Sequence, residues 1–271
     1  MDVAAIGRQD DRTRVRRAYL RYLGDEQAKK NRLRPWKIKS WCIPKGSARF
    51  IAKMEDVLSV YQRPYDPRRP VVCLDEKGKE LRSHTVGREE QLPQANPSRE
   101  QLHGTLQDYE YKREGSANIF LACEPLRGWR RTKVTNDRTA HTFAQQLQKL
   151  VDEDYVDAER IVLITDNLNI HGTHSLYELL DPKEARRIAE KIEWHYTPEH
   201  GSWLNMAELE LSALGRQCLS RRIPNIQTLA QECEAWTKAR NQAKVTIDWH
   251  FTTHDARIKL RRLYPIILDN S

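Results

Sequence analysis

The segment IVLITDNLNIHG, residues 161–172, constrains the fold more than any other part of the sequence. Its first five residues are apolar or β-branched, which is typical of a strand buried on both faces. Asp166 follows at once and begins a polar turn. Open α/β sheets bind ligands outside the carboxyl ends of their strands, so Asp166 is a candidate site residue. It could equally begin an Asx turn or cap the next helix.

A second run repeats this design. The residues VVCL, 71–74, predict a short buried strand that delivers Asp75 at its end, and the following Glu76–Lys79 suits a turn into another strand. Carboxylates on neighbouring strand ends repel each other unless a cation joins them. Because no cysteines cluster with them, oxygen ligation of Mg²⁺ or Mn²⁺ is favoured over Zn²⁺.

A third acidic residue lies in a helix predicted over residues 203–219. The leucines of this segment follow helical spacing, and Glu208 falls on their side of the helix. A glutamate there either pairs with a basic residue or projects into a site. Glu210 lies about 200° further around the helix and is therefore predicted to be exposed to solvent.

Strand and helix patterns alternate through the rest of the chain. Their order predicts a mixed α/β sheet covered by helices. Strands are predicted at 116–123, 130–134, 161–165 and 192–196, and helices near 139–151, 176–188, 203–219 and 225–242.

Basic residues are concentrated at the N-terminus. Residues 1–49 carry 14 Lys and Arg against 5 Asp and Glu, whereas the whole chain has a net charge of +8. A basic helix over residues 12–23 and interleaved aromatic residues are typical of a nucleic-acid-binding surface, although a solvated basic helix has the same composition. The predicted DNA contacts are Arg14, Arg16, Arg17, Trp36, Lys37 and Lys39 and, in later basic runs, Arg216, Arg221, Arg222, Lys259, Arg261 and Arg262.

Cysteine usage and hydropathy indicate the compartment. The five cysteines are far apart and form no C-x-x-C pair, which favours a reducing environment. No apolar run reaches the roughly 18 residues of a membrane span, and the N-terminal residues lack the apolar core of a signal peptide. The sequence therefore predicts a cytoplasmic protein with no membrane partner.

Three strings, CLDEKGKEL, LITDNLNIH and GSWLNMAELELSAL, resemble in this order the catalytic blocks of DDE transposases of the mariner superfamily, specifically the bacterial insertion sequence 630 family. The similarity extends over most of residues 36–264, and the last two acidic positions are 42 residues apart. The resemblance implies that Asp75, Asp166 and Glu208 form a catalytic triad for two Mg²⁺ or Mn²⁺ ions. Asn205 and His171 are then candidates for orienting that triad.

The resemblance also implies the architecture. We expect an α/β, ribonuclease H-like fold in residues 50–271, with a mixed five-stranded sheet flanked by helices and followed by C-terminal helices. Residues 1–49 would form a short basic helical arm and linker. This arm has room for only part of the helix-turn-helix region that reads terminal repeats in relatives, so we expect it to be a remnant of a DNA-binding region.

The implied activity is metal-dependent cleavage and strand transfer of insertion-element DNA. The implied partners are double-stranded DNA, as terminal inverted repeats and target, and a second copy of the chain in an active homodimer at the bacterial nucleoid. Two alternatives stay open at this point. One is a truncated or repurposed DNA-binding protein without turnover, and the other is a ribonuclease H-like nuclease without strand transfer.

Overall fold

A five-stranded mixed sheet lies at the centre of the structure, a computed structural model that describes residues 47–85 and 110–264. Three strands form an antiparallel meander: β1 (Val71–Ser83), β2 (Lys112–Glu124) and β3 (Trp129–Thr135). Two further strands extend it in parallel: β4 (Ile161–Thr165) pairs with β1, and β5 (Ile192–Tyr196) pairs with β4. The order β3-β2-β1-β4-β5 confirms the predicted mixed sheet.

Helices cover both faces of this sheet. One face, here the α5 face, packs against α1 (Ala48–Tyr61), α5 (Met206–Gln217), α6 (Ile226–Gln242) and α7 (Thr253–Lys259). The opposite face, here the α2 face, packs against α2 (Ala140–Lys149), α3 (His174–Leu179) and α4 (Pro182–Glu190). Among the described residues, no helix combines the length and apolarity needed to cross a membrane.

The helix predicted over 176–188 is two helices instead of one. Asp181 ends the first segment and caps α4, because its carboxylate accepts hydrogen bonds from the backbone N–H groups of Lys183 and Glu184. Pro182 takes the first helical position of α4, where its missing N–H costs nothing. The basic helix predicted over 12–23 and the loop predicted over 86–104 lie outside the described residues.

Strand β1 continues well past Asp75, so the turn predicted over Glu76–Lys79 is wrong. Asp75 pairs with Leu121 and Lys77 pairs with Ile119 of the antiparallel β2. The apolar, buried middle of β2 supplies a partner along the whole segment. Cross-strand pairing therefore outweighs the local preference of Glu-Lys-Gly-Lys for a turn.

Glu210 is buried, which corrects the prediction that it faces solvent. Its carboxylate lies 3.0 Å from the Arg130 guanidinium of β3, and it accepts two hydrogen bonds from Arg240 of α6, at 2.7 and 3.0 Å. Arg130 also donates to the carbonyl oxygen of Val245 at 2.6 Å. Helical periodicity identifies the side of α5 on which Glu210 lies. It does not show that β3 and α6, which are distant in sequence, pack against that side.

We expect Glu210→Ala to lower the free energy of unfolding by about 3–5 kcal/mol, since it leaves the buried Arg130 charge without its partner. Urea unfolding followed by circular dichroism measures this. The matched control is Glu190→Ala, which removes an exposed ion pair with Arg186 and should change stability by about 1 kcal/mol or less. Equal effects of the two substitutions would show that the buried pair does not hold α5 and α6 to β3.

Candidate active site

Strand pairing places Asp75 and Asp166 at the same level of the sheet. The parallel register of β1 and β4 pairs Cys73 with Ile164, and each aspartate lies two residues further along its strand direction. Side chains two residues apart in a strand point to the same face. Cys73 packs on the α5 face, so the Asp75 carboxyl group is directed to that side, whereas Asp166 follows the end of β4.

Helix α5 begins beside Asp75. Asn205 caps the helix by accepting a hydrogen bond from the backbone N–H of Ala207 at 3.1 Å. Its Nδ2 donates to the carbonyl oxygen of Leu74 at 3.0 Å and to the Asp75 carboxylate at 3.3 Å. Asn205 therefore both caps the helix and fixes the helix start against Asp75. Glu208 follows in the first turn and is half-buried.

The ionisation of Asp75 depends on its burial and on the neighbouring carboxylates. Burial is the main cause that raises the pKa of Asp75 to about 7, and the negative charges of Asp166, Glu76 and Glu208 contribute in the same direction. A 2.8 Å hydrogen bond from the backbone N–H of Glu76 acts in the opposite direction. Asp75 is therefore within electrostatic range of Asp166 and Glu208, and its ionisation is disfavoured unless positive charge is supplied.

The donors fit a hard cation that keeps part of its water shell. Within residues 47–85 and 110–264, no three His, Cys, Asp or Glu side chains are arranged to hold a metal ion by themselves. Mg²⁺, however, is commonly held by one or two carboxylates together with waters and substrate phosphates, so a closed protein cage is not required.

His171 orients Asp166. The ring is buried and packs against Phe143, with ring centres 4.3 Å apart and the planes tilted by 31°. Its Nδ1 contacts the Asp166 carboxylate, and its Nε2 lies 3.1 Å from the Glu76 carboxylate, an ionic contact whose angle does not suit a hydrogen bond. Burial lowers the pKa of His171, but the contacts with Asp166 and Glu76 outweigh this and raise it to about 9. An imidazolium therefore bridges two carboxylates near neutral pH.

Glu76 is a site residue that the sequence analysis missed. Its side chain is 1% exposed and faces the opposite side of β1 from Asp75, where it meets His171 and, at 3.5 Å, Arg138. The signal was present, because Glu76 continues the period-two pattern of the buried Val72 and Leu74. It was overlooked because the segment was interpreted as a turn.

The predicted DNA contacts are widely distributed. Arg216, Arg221, Lys259, Arg261 and Arg262 are exposed on the C-terminal third of the chain, and Arg222 is half-buried. Arg221 forms an ion pair with Glu232, and Lys259 lies 3.2 Å from Asp255. The other predicted contacts, Arg14, Arg16, Arg17, Trp36, Lys37 and Lys39, lie outside the described residues.

Comparison with solved structures shows the same fold in a transposase. The chain is 15% identical to the Mos1 strand transfer complex, with a TM-score of 0.50 over 89% of this chain and 71% of that one. It is 16% identical both to the Mos1 mariner paired end complex with Mn and to the Mos1 paired-end complex with the left transposon end, with TM-scores of 0.45 and 0.48. In these last two cases the matches cover 81% of this chain but 66% of the other, slightly less than two thirds of its length.

Comparison with protein families gives the assignment. No curated protein matches the chain in sequence. The model of the DDE superfamily endonuclease domain, however, matches residues 70–230, a span that runs from β1 into α6 and contains Asp75, Asp166 and Glu208. The fold is accordingly the expected ribonuclease H-like one. Since the match covers more than half of the sequence, the chain belongs to the DDE superfamily endonucleases.

Proposed function

We propose that the chain is a DNA transposase of the insertion sequence 630 family that cleaves phosphodiester bonds and transfers the resulting strands. What supports the proposal is that Asp75 and Asp166 follow strand residues paired in register, and that Asn205, three residues before Glu208, donates to the Asp75 carboxylate. Support also comes from the similar Mos1 structures, which are described as strand transfer and paired end complexes. The proposed partners are element ends and target DNA, bound by a homodimer.

The proposed cofactors are two Mg²⁺ or Mn²⁺ ions held by Asp75, Asp166 and Glu208. Such ions, when bound, stabilise the attacking and leaving oxygens of a phosphodiester displacement. The residues of the chain fix the geometry. Asn205 donates a hydrogen bond to the Asp75 carboxylate. The Nδ1 atom of His171 contacts Oδ1 of Asp166, which leaves Oδ2 for another partner.

His171 provides a positive charge beside the proposed metal ligand Asp166. Metal ligands must be deprotonated, so a ligand carboxylate benefits from a nearby cation that favours its ionised form. The imidazolium of His171 contacts the Asp166 carboxylate, and the contacts with Asp166 and Glu76 keep His171 protonated. Asp75 and Glu76 face opposite sides of β1, and the contacts of both therefore serve the proposed metal site.

We expect Asp166→Ala to reduce metal-dependent nicking of DNA by about 10³-fold or more, because a catalytic metal ion contributes several kcal/mol and each 1.4 kcal/mol is a factor of ten. Nicking of supercoiled plasmid in Mg²⁺ or Mn²⁺ measures this. The control is Asp157→Ala, which removes an exposed aspartate and should leave nicking unchanged. Wild-type protein that binds DNA without nicking it would favour a binding protein without turnover, and nicking without joining of ends would favour a simple nuclease.

We expect Glu76→Gln and His171→Asn each to weaken metal affinity and nicking by about 10–100-fold, the usual effect of removing a group that orients a metal ligand. Metal affinity is measured by calorimetric titration with Mn²⁺. Glu184→Gln, which alters an exposed ion pair with Arg187, is the control for loss of a single carboxylate. Full metal affinity in both variants would show that the contacts of His171 serve packing alone.

A further inference from the structure

The hydroxyl group of Tyr61, the last residue of α1, lies where three elements meet. It donates a hydrogen bond to the carbonyl oxygen of Leu204 at 2.6 Å. It accepts one from the backbone N–H of Met206 at 3.4 Å, and Sγ of Cys73 in β1 lies 3.5 Å away. Because the phenol has one proton and gives it to Leu204, the Cys73 thiol is the donor in that last contact. One side chain therefore joins α1, β1 and the start of α5.

These contacts satisfy backbone groups at the start of α5. The first N–H groups of a helix have no acceptor within the helix and need partners from outside it. In α5 the N–H of Met206 donates to Tyr61, and the N–H of Ala207 donates to the side chain of Asn205 at 3.1 Å. The N–H of Glu208 donates to the carbonyl oxygen of Asn205 at 3.0 Å. Tyr61 and Asn205 therefore cap the helix together.

Aromatic packing holds the Tyr61 ring in place. The ring of Trp249 lies 5.1 Å from it, with the planes tilted by 46°. The indole N–H of Trp249 donates to the carbonyl oxygen of Phe251 at 2.7 Å, and the Phe251 ring lies edge-on to Trp203, with ring centres 6.0 Å apart. Trp203 belongs to the turn Ser202–Leu204, which leads into α5. Helix α1 and the segment with Trp249 and Phe251 therefore both contact this turn.

We propose that Tyr61 is a positioning residue for the carboxylate site. Its two backbone hydrogen bonds lie on either side of Asn205, the residue that donates to Asp75. The Tyr61 hydroxyl thereby holds the start of α5, and with it Glu208, at a fixed position relative to Asp75. Tyr61 precedes residues 70–230, so the site extends to a helix outside the matched DDE endonuclease domain.

The competing role for this hydroxyl is stabilisation of the fold alone. A buried polar group that loses its partner costs free energy wherever it lies, so a loss of stability does not separate the two roles. Tyr155 offers a matched control, because its hydroxyl also makes a buried hydrogen bond, to the Glu124 carboxylate at 2.9 Å. Tyr155 packs on the α2 face, whereas Tyr61 packs on the α5 face, where the Asp75 carboxyl group points.

The first test is Tyr61→Phe, which removes the hydroxyl and keeps the ring that packs on Trp249. Mn²⁺ affinity is measured by calorimetric titration, since the inference rests on the proposed metal site. We expect the affinity to fall by about 10-fold, the lower end of the range for groups that orient metal ligands, because Tyr61 acts through Asn205. Wild-type affinity in Tyr61→Phe would overturn the proposal.

Tyr155→Phe is the control for this titration. It leaves the buried Glu124 carboxylate without its tyrosine donor, so we expect a loss of stability to urea comparable with that of Tyr61→Phe. Its Mn²⁺ affinity should match that of the wild type. An equal loss of affinity in the two variants would show that Tyr61 acts on stability alone.

Amide hydrogen exchange tests the positioning without metal. Ala207 and Glu208 donate to Asn205 and not to Tyr61, so their exchange reports whether loss of the hydroxyl loosens the cap. In EDTA we expect both amides to exchange about 5-fold faster in Tyr61→Phe than in the wild type, as measured by NMR, and at the wild-type rate in Tyr155→Phe. Unchanged exchange in Tyr61→Phe would show that the hydroxyl does not hold the start of α5.

The outcome is separable from that of the proposed function. A wild-type protein that binds no Mn²⁺, together with faster exchange of the two amides in Tyr61→Phe, would support the role of Tyr61 at the cap and reject the metal site. A wild-type protein that binds Mn²⁺ and nicks DNA, with both properties unchanged in Tyr61→Phe, would support the transposase and reject Tyr61 as a positioning residue.

Discussion

The pairing of β1 with β4 is the interaction on which the rest of the site depends. It sets Asp75 and Asp166 at one level because Cys73 pairs with Ile164 and each aspartate follows two residues later. A slip of one residue would turn one carboxyl group to the opposite face, since side chains alternate along a strand. The apolar residues of both strands fix the register, because any shift would expose buried Val72 or Leu163 or bury polar neighbours in their place. The packing of the core thus determines the geometry of the site.

Placing several carboxyl groups together opposes folding, and the structure offsets this with specific contacts. Burial and like charges raise the pKa of Asp75, so this residue resists ionisation in the folded chain. His171 compensates for Asp166 and Glu76 by lying between them, and Asn205 donates to Asp75. The repulsion that remains supports the proposed cation site, because a bound cation would relieve it.

The sequence predicted the positions of strands and helices better than it predicted which other elements pack against them. The strand before Asp166 is apolar throughout, so its burial and its end could be read from residues 161–166 alone. The strand before Asp75 could not be followed to its end, because its continuation depends on pairing with β2. Glu210 was misplaced for the same reason: its partners Arg130 and Arg240 come from other elements, and periodicity within one helix does not identify them. Glu76 was missed for both reasons. Recognising it as a site residue requires knowing that β1 continues past Asp75 and that His171 contacts its side chain.

The most direct test of the account is the position of a bound Mn²⁺ ion in crystals, located by its anomalous scattering. We expect an anomalous peak between β1, β4 and the start of α5. Oxygens of Asp75 and Asp166 should lie within about 2.5 Å of the ion, and Glu208 should face it directly or through water. We also expect the peak to disappear in Asp75→Asn crystals. A wild-type crystal soaked at saturating Mn²⁺ that shows no ion among these three carboxyl groups would contradict the claim that they form a metal site.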